Sequence, residues 1–229
     1  AWMATHGYSA AQVTTLDRLA YMNKRGMGAL EFRPARGGQT TSSTPIQLAR
    51  LVEQARRAFQ GQLEESDEDA RALNQLISVG TSAGGARAKA VLGWNPRTNE
   101  LVAGQFDLPE GFEHWLLKFD GMGHDQQLGP SQHYGRIEYA YHRMAVRAGI
   151  DMQPCRLHHE GGRAHFMTRR FDRDGNRKHH VQSLCALQHM SYNFTRTHAY
   201  ESLFLTARML GLDDAGMTQL FARMAFNVA

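Results

Sequence analysis

Cysteine is scarce in this sequence, and apolar runs of membrane-spanning length are absent from it. Two cysteines among 229 residues, Cys155 and Cys185, cannot build a disulfide framework and form no CxxC unit. We therefore expect a cytoplasmic protein. No apolar run approaches the about 20 residues that cross a bilayer, so no membrane segment is predicted. With 42% hydrophobic and 21% charged residues, the composition excludes an intrinsically disordered chain.

Lysine is the scarce cation. Of the 26 lysines and arginines, only Lys24, Lys89, Lys118 and Lys178 are lysines, so arginine is the default basic residue. Lys89 ends a small-residue loop, and Lys118 lies in the next predicted strand but one. A compact ammonium suits a strand inside an apolar run better than a wide guanidinium does. Two of four lysines at one candidate site are therefore informative.

The small-residue loop covers residues 82–89 and reads Ser-Ala-Gly-Gly-Ala-Arg-Ala-Lys. Backbone N–H groups of a glycine-rich turn can bind phosphate oxygens, and a lysine on a neighbouring strand adds a positive charge. The loop is not a P-loop, because Ala86 and Arg87 stand where Lys-Ser/Thr is needed, and it is not a G-x-G-x-x-G loop. A tight structural connection is the alternative for the loop. A side chain that reaches solvent from a sheet edge is the alternative for Lys118.

Two further segments belong to this phosphate-binding hypothesis. Glu138 lies on the predicted helix that follows Lys118, and it is the natural carboxylate partner of that lysine. A solvent-facing Glu138 is the alternative. Residues 166–173 connect the strand-rich half to the helical half, and free backbone groups there can hydrogen-bond the edge of an adenine ring. A plain linker is the alternative for this connector, and sequence periodicity does not separate the two.

Charge is unevenly distributed along the chain. Between Arg136 and His180 there are ten Arg/Lys against five Asp/Glu, whereas the whole chain carries +4. This stretch suits a nucleotide, an acidic partner or nucleic acid, or else it is a solvated face. Residues 172–176 resemble a calcium-binding loop only faintly, since Ser183 stands at the last ligand position, so a solvated turn is favoured. The histidines lack zinc-like spacing, and no metal site is predicted.

Apolar periodicity and breakers predict the order of elements. Helices are predicted over about 10–22 with Ser9 as cap, 45–60, 67–76, 131–148, 183–192, 200–211 and 214–229. A turn with a short strand is predicted over 25–32, and further strands at 76–80, 88–94, 101–105, around Lys118, and at 155–159 and 164–170 as a hairpin. Residues 34–44 are the most linker-like. The apolar stripes of 200–229 are predicted to be core, as is a shared face of the helix at 131–148: Ile137, Tyr141, Met144, Ala145 and Ala148.

A strand-rich half followed by a helical half predicts an α+β fold with two lobes. We divide it into an N-terminal region of residues 1–75, a strand-rich nucleotide-binding lobe of residues 76–173 and the start of a helical lobe at residues 174–229. The chain opens without methionine and closes on an uncapped apolar stripe. We therefore expect a fragment of a longer protein.

Several motifs occur together in a fixed order along the chain. They are Gly80–Lys89, Leu116–Asp120, Glu138–Ala140, Arg170–Arg173, Ser183–Cys185 and Phe221–Val228. Together they resemble HipA-type serine/threonine kinases, the toxins of HipA–HipB toxin–antitoxin pairs, most strongly over about 76–229. Residues 10–32 are similar to the later part of the N-terminal region of that family. The resemblance implies a two-lobed HipA/kinase-like fold.

The resemblance also assigns roles to residues. It implies that ATP is bound by the loop, by Lys118 and by the backbone of the connector. The residues concerned are Gly84, Gly85, Ala86, Arg87, Ala88, Lys89, Lys118, Arg169, Arg170 and Phe171. Glu138 would pair with Lys118. Ser82 aligns with a loop serine that this family autophosphorylates, so the protein would be a phosphoprotein whose added negative charge disfavours the bound loop.

The catalytic groups of the family are not recognisable here. The family uses an aspartate base and Mg²⁺ ligands in an Asp-x-His-x-x-Asn loop, and no such pattern occurs in this sequence. We expect these groups and the Mg²⁺ ligands beyond residue 229, and we expect residues 1–229 alone to be catalytically inactive. The resemblance implies a protein substrate such as an aminoacyl-tRNA synthetase and a HipB-like DNA-binding antitoxin. The alternatives are a nucleotide- or antitoxin-binding module without transferase activity, or a small-molecule kinase of similar two-lobed fold.

Overall fold

The computed structural model of the chain describes residues 9–35, 89–120, 133–160, 162–191, 194 and 198–229. Helices and an antiparallel sheet make these residues an α+β structure, as predicted. They fall into two compact units, one of residues 1–139 and 153–180 and the other of residues 140–152 and 181–229. The domain boundaries at 75 and 173 stay predictions. The predicted elements at 45–60, 67–76 and 76–80, the loop residues 82–88 and most of the predicted linker lie outside the described residues.

The first unit contains a five-stranded sheet. Its strands are β1 (Lys89–Trp94), β2 (Leu101–Ala103), β3 (Glu113–Lys118), β4 (Cys155–Glu160) and β5 (Arg163–Arg169). Their order is β2-β1-β3-β5-β4, and all neighbours are antiparallel. All five strands match predicted strands. Gly162, at φ +79°, closes the predicted β4–β5 hairpin, where a left-handed residue suits a tight turn.

One face of this sheet carries the apolar core. Its members come from alternate positions of the strands and their ends: Ala90, Leu92, Leu101, Ala103, Trp115, Leu117, Phe119 and Met167. The rings of Trp94 and Trp115 meet edge to face with centroids 5.3 Å apart. Because successive side chains of a strand point to opposite faces, Lys118 points away from Leu117 and from this core.

The N-terminal part of the first unit differs from the prediction in two details. A short 3-10 turn (Ala10–Gln12) precedes helix α1 (Thr15–Met22). Thr14 caps α1 instead of the predicted Ser9, because Thr14 and Asp17 form a reciprocal capping box. The predicted strand within 25–32 is wrong. Side chains of the sequence-distant Asp172 and Arg173, rather than a neighbouring strand, bind the backbone there.

Helix α2 (Tyr134–Arg147) confirms the predicted helix at 131–148. It ends at Gly149, which has φ +78° and donates its N–H to Val146, while Ile150 donates to Ala145; a left-handed glycine commonly ends helices this way. The predicted inward face is wrong for Ile137, Tyr141 and Met144, which are 46%, 57% and 54% exposed. Gly135, Glu138, His142 and Ala145 share the face that is buried or half-buried, and this face is too polar for an apolar period to reveal.

Sequence analysis did not predict the small hairpin that follows β5. Strands β6 (Arg173–Asp174) and β7 (Arg177–Lys178) pair around a turn at Gly175, which has φ +52°. The turn lies at the Asp-Gly pair for which a turn was predicted.

The second unit contains helices α3 (Leu184–Leu187), α4 (Tyr200–Met209) and α5 (Asp214–Val228). Ser183 and Asp213 cap α3 and α5 by accepting the N–H groups of Ala186 and Gly216. The prediction that α3 extends to 192 is wrong, because His189 has φ +53° and leaves the helical region. The side chain of Gln219 bonds to Gly149 and Asp151 and so attaches α5 to the segment after α2.

The prediction that the stripes of 200–229 are core is wrong for several of their members. Phe221 is 59% exposed, Met209 82% and Val228 74%. The α4–α5 pair buries small side chains such as Ala207 instead.

Candidate functional site

The strand register brings the two candidate lysines together. Lys89 of β1 lies opposite Lys118 of β3, and Lys118 lies opposite Phe166 of β5. Directly opposed residues of antiparallel strands share a face with their Cβ atoms about 5 Å apart. Lys89 and Lys118, which we call the lysine pair, therefore point to one side of the sheet, opposite the apolar core. The Lys118 ammonium lies 5.7 Å from the centre of the Phe166 ring.

Glu138 of α2 is the ion-pair partner of Lys118. The Lys118 Nζ donates to Glu138 Oε2 at 2.5 Å, and the two side chains are 31% and 26% exposed. This partner was proposed from the sequence against a solvent-facing alternative. An ammonium has three donors, so a single carboxylate contact leaves Lys118 the capacity to bind a second anion.

Gly135 allows α2 to lie close enough to the sheet for this pair. A Cβ at Gly135 would lie 2.0 Å from the backbone oxygen of Ala164 on β5. Only glycine permits so close an approach of helix and strand backbones. Glu138 follows Gly135 by almost one helical turn and so shares its face. Sequence analysis missed Gly135, although a glycine in the first turn of an otherwise helical pattern is a usable signal.

Lys89 is more buried than its neighbour, at 8% exposure. Burial lowers the pKa of Lys89 below its ordinary value, and the charge of Lys118 lowers it further, whereas Glu138 raises it. Burial is the larger cause of this shift, and repulsion between the two ammonium groups adds to it. An anion placed against both would relieve that repulsion.

Cys155 also lies near the lysine pair and was not singled out from the sequence. It stands opposite Thr168 in the β4–β5 register, and burial raises the pKa of its thiol, while Thr168 and the charge of Lys118 oppose the shift. The thiol is therefore protonated at neutral pH and acts as a small side chain in the wall beside Lys118.

The connector begins where β5 ends. Arg169 donates its N–H to Pro154 and Arg170 donates its N–H to His114, each at 2.9 Å. Phe171 follows with a 60% exposed side chain. The connector therefore presents Phe171 outward, while the preceding two N–H groups hold it to the sheet. Lys118 lies four residues beyond His114 along β3, about 13 Å at 3.3 Å per residue, a separation that one extended nucleoside triphosphate spans.

The side chain of Arg170 is buried in an ion pair. It is 2% exposed and forms a bidentate pair with Asp172, with Nε to Oδ1 at 2.8 Å and Nη2 to Oδ2 at 2.6 Å. Arg173 adds a contact to Asp172 Oδ2 at 2.7 Å. Arg170, Asp172 and Arg173 form what we call the arginine cluster. The resemblance implied a backbone role for Arg170, and its guanidinium has this separate structural role.

The arginine cluster holds the N-terminal segment, residues 24–31. The Gly28 N–H donates to Asp172 Oδ2 at 2.7 Å, and Arg173 donates to the carbonyl oxygens of Gly28 and Gly26. Lys178 adds a 2.8 Å ion pair to Glu31. Burial raises the pKa of Asp172, but hydrogen bonds from Arg170 and Gly28 and the charges of both arginines outweigh it, and the pKa falls to about 2. Asp172 is therefore ionised at all ordinary pH values.

Asn176, in the β6–β7 turn, attaches the hairpin to the loop before β3. Its side chain accepts the N–H of Leu108 at 2.8 Å and donates to the carbonyl oxygen of Leu108 at 3.0 Å. His114 Nε2 lies 3.4 Å from the same amide oxygen. Burial lowers the pKa of His114 to about 4, although the hydrogen bond that His114 donates to the Asn176 amide oxygen opposes the shift. Through these contacts, residues 172–176 pack the connector against the N-terminal segment and the loop before β3.

The predicted autophosphorylation site and most of the phosphate loop cannot be placed. Ser82 and residues 84–88 lie outside the described residues, so their predicted roles stay predictions. Within the described residues, no group of three or more His, Cys, Asp or Glu side chains is arranged to hold a metal ion. Among the described helices, none combines the length and hydrophobicity that a bilayer crossing demands.

The chain is similar in fold to a solved toxin–antitoxin structure, described as the Shewanella oneidensis MR-1 toxin–antitoxin system HipA, HipB and its operator DNA complex. The TM-score is 0.63 at 17% identity, and the match covers 99% of this chain and 52% of the other. The chain thus spans about half the length of the protein it matches. At this identity the likeness shows the fold. No curated protein matches the sequence.

A sequence family covers the larger part of the chain. The profile described as the HipA-like C-terminal domain matches residues 81–229, a range that contains the lysine pair, Glu138 and the connector. This match extends over well over half of the sequence and agrees with the resemblance read from its motifs. The chain therefore belongs to the family of HipA-like C-terminal domains.

Proposed function

We propose that this chain supplies the nucleotide-binding part of a HipA-like, ATP-dependent serine/threonine protein kinase. The observation that carries the proposal is the 2.5 Å pair between Lys118 and Glu138, with Lys89 directly opposite on the neighbouring strand. In kinases such a carboxylate orients the lysine that contacts the nucleotide phosphates. The ion pair sets the direction of the Lys118 ammonium before a nucleotide arrives.

The lysine pair fits a polyphosphate by its chemistry. Burial, together with repulsion from Lys118, lowers the pKa of Lys89. Bound phosphate oxygens would stabilise the charged forms of both lysines. Bound Mg-ATP would supply the phosphoryl group for transfer. Lys118 and Lys89 would hold its phosphates, with the loop at 84–88 as the proposed backbone cradle. The Mg²⁺ ligands are expected beyond residue 229.

The connector is the proposed site of the adenine ring. Since the N–H groups of Arg169 and Arg170 bond to Pro154 and His114, the proposed donor to adenine is the N–H of Phe171. The exposed Phe171 side chain would lie at the mouth of such a site.

The activity of the whole protein goes beyond these residues. No Asp-x-His-x-x-Asn pattern occurs in residues 1–229, so we expect these residues by themselves to transfer no phosphoryl group. In the whole protein we propose transfer to a serine of a protein target, an aminoacyl-tRNA synthetase by resemblance. A HipB-like antitoxin is the proposed partner, and the HipA and HipB of the matched complex support it.

The missing catalytic pattern favours one second candidate, a nucleotide- or antitoxin-binding module without transferase activity. Phosphorylation assays with the full-length protein separate the two candidates. Autophosphorylation at Ser82 belongs to the kinase proposal alone. Mass spectrometry of the full-length protein after incubation with Mg-ATP should find phosphate on Ser82, and an unmodified Ser82 would contradict that part.

The nucleotide proposal is tested by calorimetric titration of the chain with ATP. Lys118→Met should weaken binding about 10- to 100-fold, because it removes a charge-assisted hydrogen bond of about 1.5–3 kcal/mol. Lys178→Met is the matched control, since Lys178 is also an ion-paired lysine but lies on β7. Equal affinities of Lys118→Met and the unaltered chain, or equal losses in both variants, would contradict the proposal.

A further inference from the structure

The N-terminal segment and the connector meet at a single buried carboxylate. Asp172 is 0% exposed and accepts four hydrogen bonds: two from Arg170, one from Arg173 and one from the N–H of Gly28. Gly28 precedes Asp172 by 144 positions. The conformation of the connector therefore depends on a segment far away in the sequence.

The arginine cluster also determines which connector group faces outward. Arg170 is 4% exposed, Phe171 60% and Asp172 0%. With both neighbours held inside, Phe171 has little freedom to rotate its backbone. Loss of the Asp172 contacts would release Arg170 and let Phe171 adopt other orientations.

The N-terminal side of the contact is conformationally restricted. Gly28 has φ +75°, which non-glycine residues rarely adopt, and its N–H and carbonyl oxygen bond to Asp172 and Arg173 respectively. Arg173 also bonds to the carbonyl oxygen of Gly26. The contacts of the segment to Asp172 and Arg173 are thus made through its backbone, and the Glu31–Lys178 ion pair adds a side-chain contact.

We propose that Asp172 is a positioning residue, through which the N-terminal segment 24–31 holds Phe171 in the orientation that receives the adenine ring. This inference rests on the proposed nucleotide-binding function and adds a role for a segment far from the phosphates. Lys118 lies about 13 Å along β3 from the strand position that bonds to the connector. Loss of the contact should therefore impair recognition of the base and leave recognition of the phosphates intact.

The first experiment separates base from phosphate binding in Asp172→Asn, a substitution that removes the charge and nearly keeps the volume. Calorimetry should show ATP binding weakened about 10-fold, because contacts to a disordered connector lose their orientation, while inorganic tripolyphosphate binds as to the unaltered chain. Glu31→Gln, which breaks the exposed ion pair to Lys178 on the same segment, should change neither affinity. Unchanged ATP affinity in Asp172→Asn, or equal loss of both ligands, would overturn the inference.

The second experiment needs no nucleotide. Hydrogen exchange of the Arg169 and Arg170 amides, which bond to Pro154 and His114, should be about 10-fold faster in Asp172→Asn than in the unaltered chain, because local opening costs less free energy. Arg173→Gln, which leaves the Arg170–Asp172 pair intact, should increase the exchange rate of the same amides by a smaller factor. This variant replaces Asp172→Asn in the experiment if Asp172→Asn does not fold. Unaltered exchange of the Arg169 and Arg170 amides would overturn the positioning role. If the unaltered chain binds neither ATP nor tripolyphosphate, the proposed function fails, and the exchange data still decide whether Asp172 positions the connector.

Discussion

The lysine pair and the arginine cluster are built from the same kinds of groups but differ in solvent access and in hydrogen bonding. Lys118 and Glu138 are 31% and 26% exposed and share one hydrogen bond. In the arginine cluster the side chains of Arg170, Asp172 and Arg173 are 2%, 0% and 6% exposed, and four donors converge on one carboxylate. The first arrangement is partly open to solvent, whereas the second is closed by its own contacts.

The two regions have the same balance of charges but hold their carboxylates differently. Two arginines and a backbone N–H stabilise the ionised Asp172, whose pKa falls to about 2. Its stabilising effect is therefore present above its ordinary pKa and is lost as the pH falls toward 2. In the lysine pair, burial and the charge of Lys118 lower the pKa of Lys89. Each region holds two cations and one carboxylate, and burial together with repulsion between the cations lowers a pKa in both, that of Arg173 and that of Lys89. The regions therefore differ in burial and in the number of hydrogen bonds on the carboxylate.

Asp172→Ala should have the largest effect on folding. It leaves two buried guanidinium groups without their carboxylate, which typically costs about 3–5 kcal/mol. Urea unfolding followed by circular dichroism measures the change. The matched control is Glu31→Ala, which breaks a half-exposed ion pair and should cost about 1 kcal/mol or less. A cost below about 1 kcal/mol for Asp172→Ala would show that the arginine cluster contributes no more to stability than a surface ion pair. The structural contrast with the lysine pair would then be lost.

His114 should make folding sensitive to moderately acidic pH. Burial lowers its pKa from 6.5 to about 4. Between pH 6.5 and pH 4, His114 is therefore protonated in the unfolded chain but largely neutral in the folded chain. The free energy of unfolding should therefore decrease by about 3 kcal/mol across this window through His114 alone.

The measurement is the unfolding free energy at a series of pH values for the unaltered chain and for His114→Gln, which cannot titrate. The variant should lose about 3 kcal/mol less between pH 6.5 and pH 4. Parallel pH profiles for the two proteins would mean that His114 is protonated in the folded state at low cost. The connector, whose Arg170 N–H bonds to the His114 carbonyl, would then be less tightly packed than its contacts indicate.

The sheet was predictable from the sequence because its signals are local. Apolar runs bounded by turn residues identified all five strands, and the charge of Lys118 inside such a run suggested a partner on the next helix. Glu138 could be identified as that partner because it is the sole acidic residue of α2. The arginine cluster was not predictable in the same way. Arg170 and Asp172 are close in sequence, but their other partner, Gly28, is 144 positions away, and nothing local marks that contact.

The packing faces of the helices were predicted less well, for a physical reason. Apolar periodicity assumes that the buried side of a helix is the apolar side. In α2 the face toward the sheet instead carries Gly135, whose missing side chain allows close approach, and Glu138, whose charge pairs with Lys118. Tyr141 and Met144 are accordingly exposed. A helix that positions a charged group for a site need not obey the apolar pattern of a core helix.

Gly135→Ala tests whether the approach of α2 sets the lysine pair. The new Cβ would lie 2.0 Å from the Ala164 oxygen, so the start of the helix must move outward, at a cost of about 1–3 kcal/mol. Glu138 would move with it, and ATP affinity should fall together with stability. Gly162→Ala is the control: at φ +79° it strains the backbone and should also cost stability, but its Cβ position has no atom within 4 Å. It should therefore lower stability without lowering ATP affinity. ATP affinity unchanged in Gly135→Ala would show that the Lys118–Glu138 pair does not depend on this contact.

Glu138→Gln should have the smallest effect on stability. It therefore gives the sharpest test of the difference between the lysine pair and the arginine cluster. Because the ion pair is about one quarter to one third exposed, its loss should cost about 1 kcal/mol or less in urea unfolding. ATP affinity should fall only several-fold, since Lys118 keeps its charge and loses the group that directs it. Glu110→Gln controls for the loss of an exposed acidic side chain outside the helices and should change neither quantity. A stability loss above about 3 kcal/mol, as for a buried pair, with unchanged ATP affinity would place Lys118–Glu138 in the same class as the arginine cluster. Both the arginine cluster and the Lys118–Glu138 pair would then serve stability alone, and the proposed anion site would be contradicted.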